Sequence, residues 1–122
     1  MVTLQEEKVL EKFSLYSGET EEETSRWALC KGLCEECREW VENEAKESAL
    51  ETEGLAALAA AEAFYQLTLL DDVLTPESVS APELKLELGQ RAEKALRLVQ
   101  EKRDACRESL REKGFYFGAM DA

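Results

Sequence analysis

The sequence predicts an all-α fold, a small bundle of about four helices with one central apolar helix. Two observations carry this. Apolar residues recur in steps of three and four along most of the chain, and the stretch from Ala56 to Leu70 is apolar nearly all round and rich in alanine. A third is negative: no alternating strand–helix pattern is visible. At 122 residues, positions 1–122 are expected to form one domain that buries roughly two thirds of its unfolded surface.

Thr3-x-x-Glu6 reads as a capping box that opens a first short helix, with Val9, Leu10, Phe13 and Tyr16 as its apolar face and Ser17-Gly18 as its break. Thr20-x-x-Glu23 is a second capping box, and Glu21, Glu22 and Glu23 would sit in a first turn where carboxylates favour the helix dipole. The second helix is expected to run to about Ser48. Its stripe is Trp27, Cys30, Cys34, Cys37 and Val41, with Leu33 and Trp40 beside it.

The third helix covers about Gly54 to Leu74. Leu55, Leu58, Phe64, Tyr65, Leu67, Leu69 and Leu70 surround it, which marks a helix packed from several sides. Residues 75–89 are read as an irregular or briefly extended arm: Leu84, Leu86 and Leu88 alternate at strand period, while Ser80-x-Pro82-Glu83 equally allows an early helix start. A last helix is expected from Gln90 to Lys113, with Ala92, Ala95, Val99, Cys106 and Leu110 on one face and Gly114 as terminator. Residues 114–122 form an aromatic C-terminal tail.

Charge narrows the function. Net charge is −12, which argues against direct nucleic-acid binding, since phosphate contacts need Lys and Arg. The balance is uneven: residues 83–113 hold nine bases and seven acids, the other 91 residues six bases and 20 acids. No signal-peptide pattern opens the chain, and the most apolar stretch, Leu55 to Leu70, is shorter than the roughly 20 residues of a bilayer span. A cytoplasmic chain with no membrane contact and reduced thiols is expected.

No catalytic residue emerges. There is no histidine to activate a thiolate. Cys30, Cys34 and Cys37 have the C-x3-C-x2-C spacing of radical S-adenosylmethionine enzymes, but Glu36 occupies the usual aromatic position and the context is helical. Zinc held by these three and Cys106 conflicts with the paired spacings that tetrahedral sites use. The cysteines read as small core hydrophobes, so no metal and no cofactor is expected. Glu62 and Gln66 are the unusual polar groups on the apolar helix, best explained by a satisfied hydrogen bond. The paired carboxylates Glu35–Glu36 and Asp71–Asp72 read as solvated helix positions.

The order of features resembles the head–tail connector (head-completion adaptor) proteins of tailed phages and prophages. The matching stretches are Ser17-Gly18-Glu19-Thr20-Glu21-Glu22-Glu23, then Glu39-Trp40-Val41-Glu42-Asn43, the alanine-rich Ala56 to Leu70 with Phe64-Tyr65, and the close Gly114-Phe115-Tyr116-Phe117. The resemblance implies a non-enzymatic subunit that forms a ring with copies of itself, meets the portal and tail-completion proteins, and passes from the host cytoplasm into the virion. On that reading Phe115, Tyr116 and Phe117 anchor the chain, one or more of them on the second or third helix, and Arg103, Arg107 and Arg111 face an acidic neighbour. Two other classes stay open: a small acidic regulatory module, including a DNA mimic, and a cysteine metal or thiol protein.

Overall fold

Four helices run through the computed structural model, which describes residues 3–22, 25–46, 52–74 and 82–110. They are α1 (Glu6–Ser17), α2 (Trp27–Glu44), α3 (Thr52–Leu74) and α4 (Pro82–Ala105), followed by a 3-10 turn at Arg107–Ser109. Among the described residues there is no strand, only an isolated antiparallel bridge between Ala45 and Leu110. The all-α bundle is therefore the fold.

Helix α3 is central, as its composition predicts. Helices α1, α2 and α4 all pack on it. Leu55, Leu58 and Leu67 are fully buried, with Ala59, Ala60, Ala61 and Ala63 between them. Each such leucine contributes about 1.5–3 kcal/mol through burial, and the alanines let neighbouring helices approach closely. The predicted stripe of α2 is found too, for Cys30, Cys34, Cys37 and Val41 are buried. Trp27 is half-buried with its ring tilted against Phe13 at 6.5 Å. Trp40 lies outside the core.

The helix ends differ from the sequence expectation. The Thr3 capping box is not the start of α1: the N-cap is Gln5, with no side-chain cap. The start is held across the bundle instead, where the Leu4 backbone N–H donates to Glu42 Oε2 at 2.7 Å. Gly18 does end α1, in the left-handed conformation (φ 81°), with its N–H donating to Ser14 O. Helix α2 begins at Trp27 rather than in the 20–23 region, and stops at Glu44 rather than Ser48.

Residues 82–89 take the early helix start, not the extended alternative. Proline suits a first helical position because the N–H it lacks would have no intrahelical acceptor, and the described residues hold no sheet edge for a strand to join. Residues 75–81 lie outside the described residues. Helix α4 ends at Ala105, eight residues before Lys113. There the Cys106 N–H is shared between the Lys102 and Arg103 carbonyls, and the chain tightens into the 3-10 turn. Leu110 then extends against Ala45 while the Lys46 N–H donates to Ser109 O at 2.8 Å. Burial of Cys106 and Leu110 accompanies this change of path.

Candidate functional site

Two ionic clusters and one open apolar face are the features with potential for function. The first cluster joins α2, α3 and α4. Arg103 donates to both oxygens of Glu44, each at 3.1 Å, and to Glu62 Oε2 at 3.0 Å. Glu62 is only 8% exposed, and its Oε1 has no hydrogen-bond partner. Burial raises the Glu62 carboxyl above its ordinary value, and the hydrogen bond from Arg103 only partly opposes this. Arg103 is raised, chiefly by its hydrogen bonds to Glu44. The sequence singles out Glu62 as unusual but not its partner.

The second cluster joins the segment before α2 to the end of α3 and the first half of α4. Asp71 accepts from Arg26 through one oxygen and from Arg91 through the other, the latter at 3.3 Å. Arg26 also donates to Glu19 at 2.7 Å, and Arg91 lies over the Phe64 ring at 5.5 Å. Asp71 is thus a bridging partner rather than a solvated helix-end acid. Hydrogen bonds from Asp71 and then Glu19 raise Arg26 further above its already high value. Glu35 and Glu36 are exposed, as expected of solvated positions.

The four cysteines are free and buried. Burial pushes the Cys34 and Cys37 thiols up to about 12 and raises Cys30 as well. Such thiols are protonated near neutrality and are poor nucleophiles. Among the described residues no group of three or more His, Cys, Asp or Glu is placed to hold a metal ion. A surface depression of about 620 Å³ lies between the start of α3 and the end of α4, lined by Gly54, Ala57, Lys102, Asp104 and Arg107 among others.

The expected interface arginines separate. Arg103 turns to the two carboxylates of its own bundle, while Arg107 is exposed with Asp104 at 3.4 Å. Arg111 lies outside the described residues, as do Phe115, Tyr116, Phe117 and the terminator Gly114.

The open face was not visible in the sequence. Of the five large hydrophobic side chains exposed among the described residues, Leu15 stands on α1 and the other four are Leu29, Trp40, Leu69 and Leu96. On α2, Leu29, Leu33 and Trp40 share one phase, and Glu44 is one turn beyond Trp40. On α3, Leu69 shares the phase of Glu62 and Gln66; on α4, Leu96 shares that of Arg103. The Glu44–Arg103–Glu62 ion pairs turn these three phases toward one another. Leu29, Trp40, Leu69 and Leu96 therefore lie on the sides of α2, α3 and α4 that carry this ionic cluster, and all four are exposed. Helix α1 covers the other side, where the Lys102 ammonium lies 5.9 Å from the centre of the Tyr16 ring.

No described helix is long and apolar enough to cross a membrane. Comparison with protein-family models, with characterised proteins and with solved structures gave no match in any of the three.

Proposed function

We propose that this chain is a non-enzymatic assembly protein, a head–tail connector subunit that forms a ring with its own copies and engages the portal of a tailed phage or prophage. The observation that carries the reading is the set of large apolar side chains left exposed on three helices, Leu29, Trp40, Leu69 and Leu96, in a bundle whose thiols are buried and whose innermost ionic groups tie helix to helix. Apolar surface of this kind marks a contact rather than a reaction. The order of elements supports the same reading: a short helix, an acidic turn, a longer helix, an alanine-rich central helix and a final helix.

The test uses portal rings from the same genome, mixed with the full chain and with a chain ending at Gly114. Co-sedimentation of the full chain, with a ring of added density by electron microscopy, is the expected result. Recruitment should fall on loss of residues 115–122. A full chain that ignores the portal would overturn the connector reading. Equal recruitment of both chains would remove the anchoring role of Phe115, Tyr116 and Phe117.

A further inference from the structure

Helix α2 carries a second apolar stripe beside its buried one. Cys30, Cys34, Cys37 and Val41 are buried against the bundle. Leu29, Leu33 and Trp40 follow at spacings of four and seven residues, which sets them in one row along the flank of the same helix. Leu33 packs partly on the core, but Leu29 is 40% and Trp40 56% exposed. A tryptophan left in water in line with leucines is the composition of an interface anchor.

The charge beside this row has one sign. Glu36 stands in the row itself, three residues after Leu33 and four before Trp40, and Glu35 and Glu39 are exposed as well. None of these three carboxylates is in an ion pair among the described residues. Helix α2 has two bases. Arg38 is taken up by Glu42, the carboxylate that also holds the Leu4 N–H. Lys31 lies nine positions before Trp40, two and a half turns away and so on the opposite side of the helix. Gly32, next to Leu33, is exposed, and an added Cβ there would meet nothing within 4 Å. Glycine in a helix interior costs stability relative to alanine, and no packing within the described bundle requires it. Its missing side chain lets another backbone come close to the row.

An apolar row bordered by unpaired carboxylates is complementary to a helix with apolar residues at the same spacing and Lys or Arg beside them. A second copy presenting its own α2 would set carboxylate against carboxylate, and nucleic acid would be repelled. We propose that the Leu29–Leu33–Trp40 row of α2 is a docking site for a basic amphipathic helix of a partner protein, with Trp40 as the apolar anchor and Glu36 and Glu39 as the charge contacts. The proposal rests on the assembly reading for its setting and gives that reading's partner a chemistry. It is decided without a portal, so either can fail alone.

The probe is a synthetic helix of about 18 residues, roughly five turns, with leucines at three- and four-residue spacing and lysines on either side of them. It is added to the full chain carrying Trp27→Phe, in which Trp40 is the remaining tryptophan. The Trp40 emission should move to the blue and saturate. In the unsubstituted chain, amide shifts should concentrate at Leu29, Gly32, Leu33, Glu36 and Trp40. Trp40→Ala should weaken binding, read from those shifts, by about tenfold or more. Glu36→Gln combined with Glu39→Gln should weaken it less and flatten its dependence on salt. All three side chains are exposed, so circular dichroism should show the helices unchanged in both variants. A peptide with serine in place of the leucines that binds as tightly would show a surface attracting any cation. One with glutamate in place of the lysines that binds as tightly would remove the charge contacts. Either result overturns the proposal, as does the absence of shifts along α2. Protection of Trp40 that develops in the protein alone as its concentration rises would overturn it too, because a second copy would then cover the row.

Discussion

The two ionic clusters sit at different levels along α3 and differ in balance. Around Asp71, two carboxylates meet two guanidinium groups, and Asp71 places one oxygen on each arginine. Around Glu62, two carboxylates share the single guanidinium of Arg103, and one Glu62 oxygen is left without a partner. Exposure differs in the same direction. The carboxylates carry the difference, with Glu62 side-chain exposure at 11% against 16% for Asp71 and 18% for Glu19, while Arg103 reaches solvent much as Arg26 and Arg91 do. The first cluster is a balanced clasp, whereas the second is a buried carboxylate held by one thread. A buried charge depends on its partner far more than an exposed pair does, because removing the partner strands it in a medium that solvates it poorly.

Arg103→Met is the strongest way to break the contrast. It should destabilise the protein by roughly 3 kcal/mol near neutral pH by urea unfolding, and by less in acid, where Glu62 is protonated. The equivalent change at the other cluster, Arg26→Met, should cost less, about 1 kcal/mol, since Asp71 keeps Arg91 as a partner. Equal losses from the two variants would show that the clusters are energetically alike and that the distinction in burial has no consequence.

Glu62→Gln sharpens the comparison through pH. Burial favours the protonated carboxyl in the folded chain, so the raised value makes acid conditions favour folding at this site. That contribution is complete below the ordinary value near 4.5 and is lost as pH rises through the raised folded value. The stability of the wild type minus that of Glu62→Gln should therefore fall with rising pH across this window. The same variant removes a negative charge that helps hold Cys37 high. The Cys37 thiol should then titrate below about 12, which carbon-13 shifts of labelled cysteine would report. A pH-independent difference would mean that Glu62 takes up its proton alike in the folded and the unfolded chain.

The smallest effect belongs to Glu53, which takes Lys8 at 3.4 Å and Lys12 at 3.6 Å on the open surface. The hydrogen bond from Lys8 lowers its carboxyl, so its contribution exists above the ordinary carboxylate value and is lost as pH falls through the lowered one. Glu53→Gln should leave the thermal midpoint unchanged within measurement scatter, because water and salt screen an exposed pair.

How much was legible in the sequence follows the range of the forces involved. Hydrophobic period along α2 named Cys30, Cys34, Cys37 and Val41 as core, and each is buried. The all-round apolar character of α3 named it as central, and three helices pack on it. Both readings rest on side-chain phase within one helix, which local backbone geometry dictates. Glu62 stood out because a carboxylate in that pattern has to find a partner. Its partner did not stand out: Arg103 is one of many bases on a helix 41 residues away, and nothing local distinguishes it from Arg107.

The sequence by itself determined that this chain is helical, which helix lies at the centre, and that its cysteines are core residues. Only the tertiary structure decided where the helices stop, which charges pair, and which large apolar side chains are left exposed. Helix α4 ends at Ala105 rather than Lys113 where its chain turns to meet Ala45 and Lys46, more than 60 positions earlier. Helix ends are set by whatever satisfies their unpaired backbone groups, and ion pairs by which side chains come within reach. Both are properties of segments distant in sequence and adjacent in space, which no local pattern encodes.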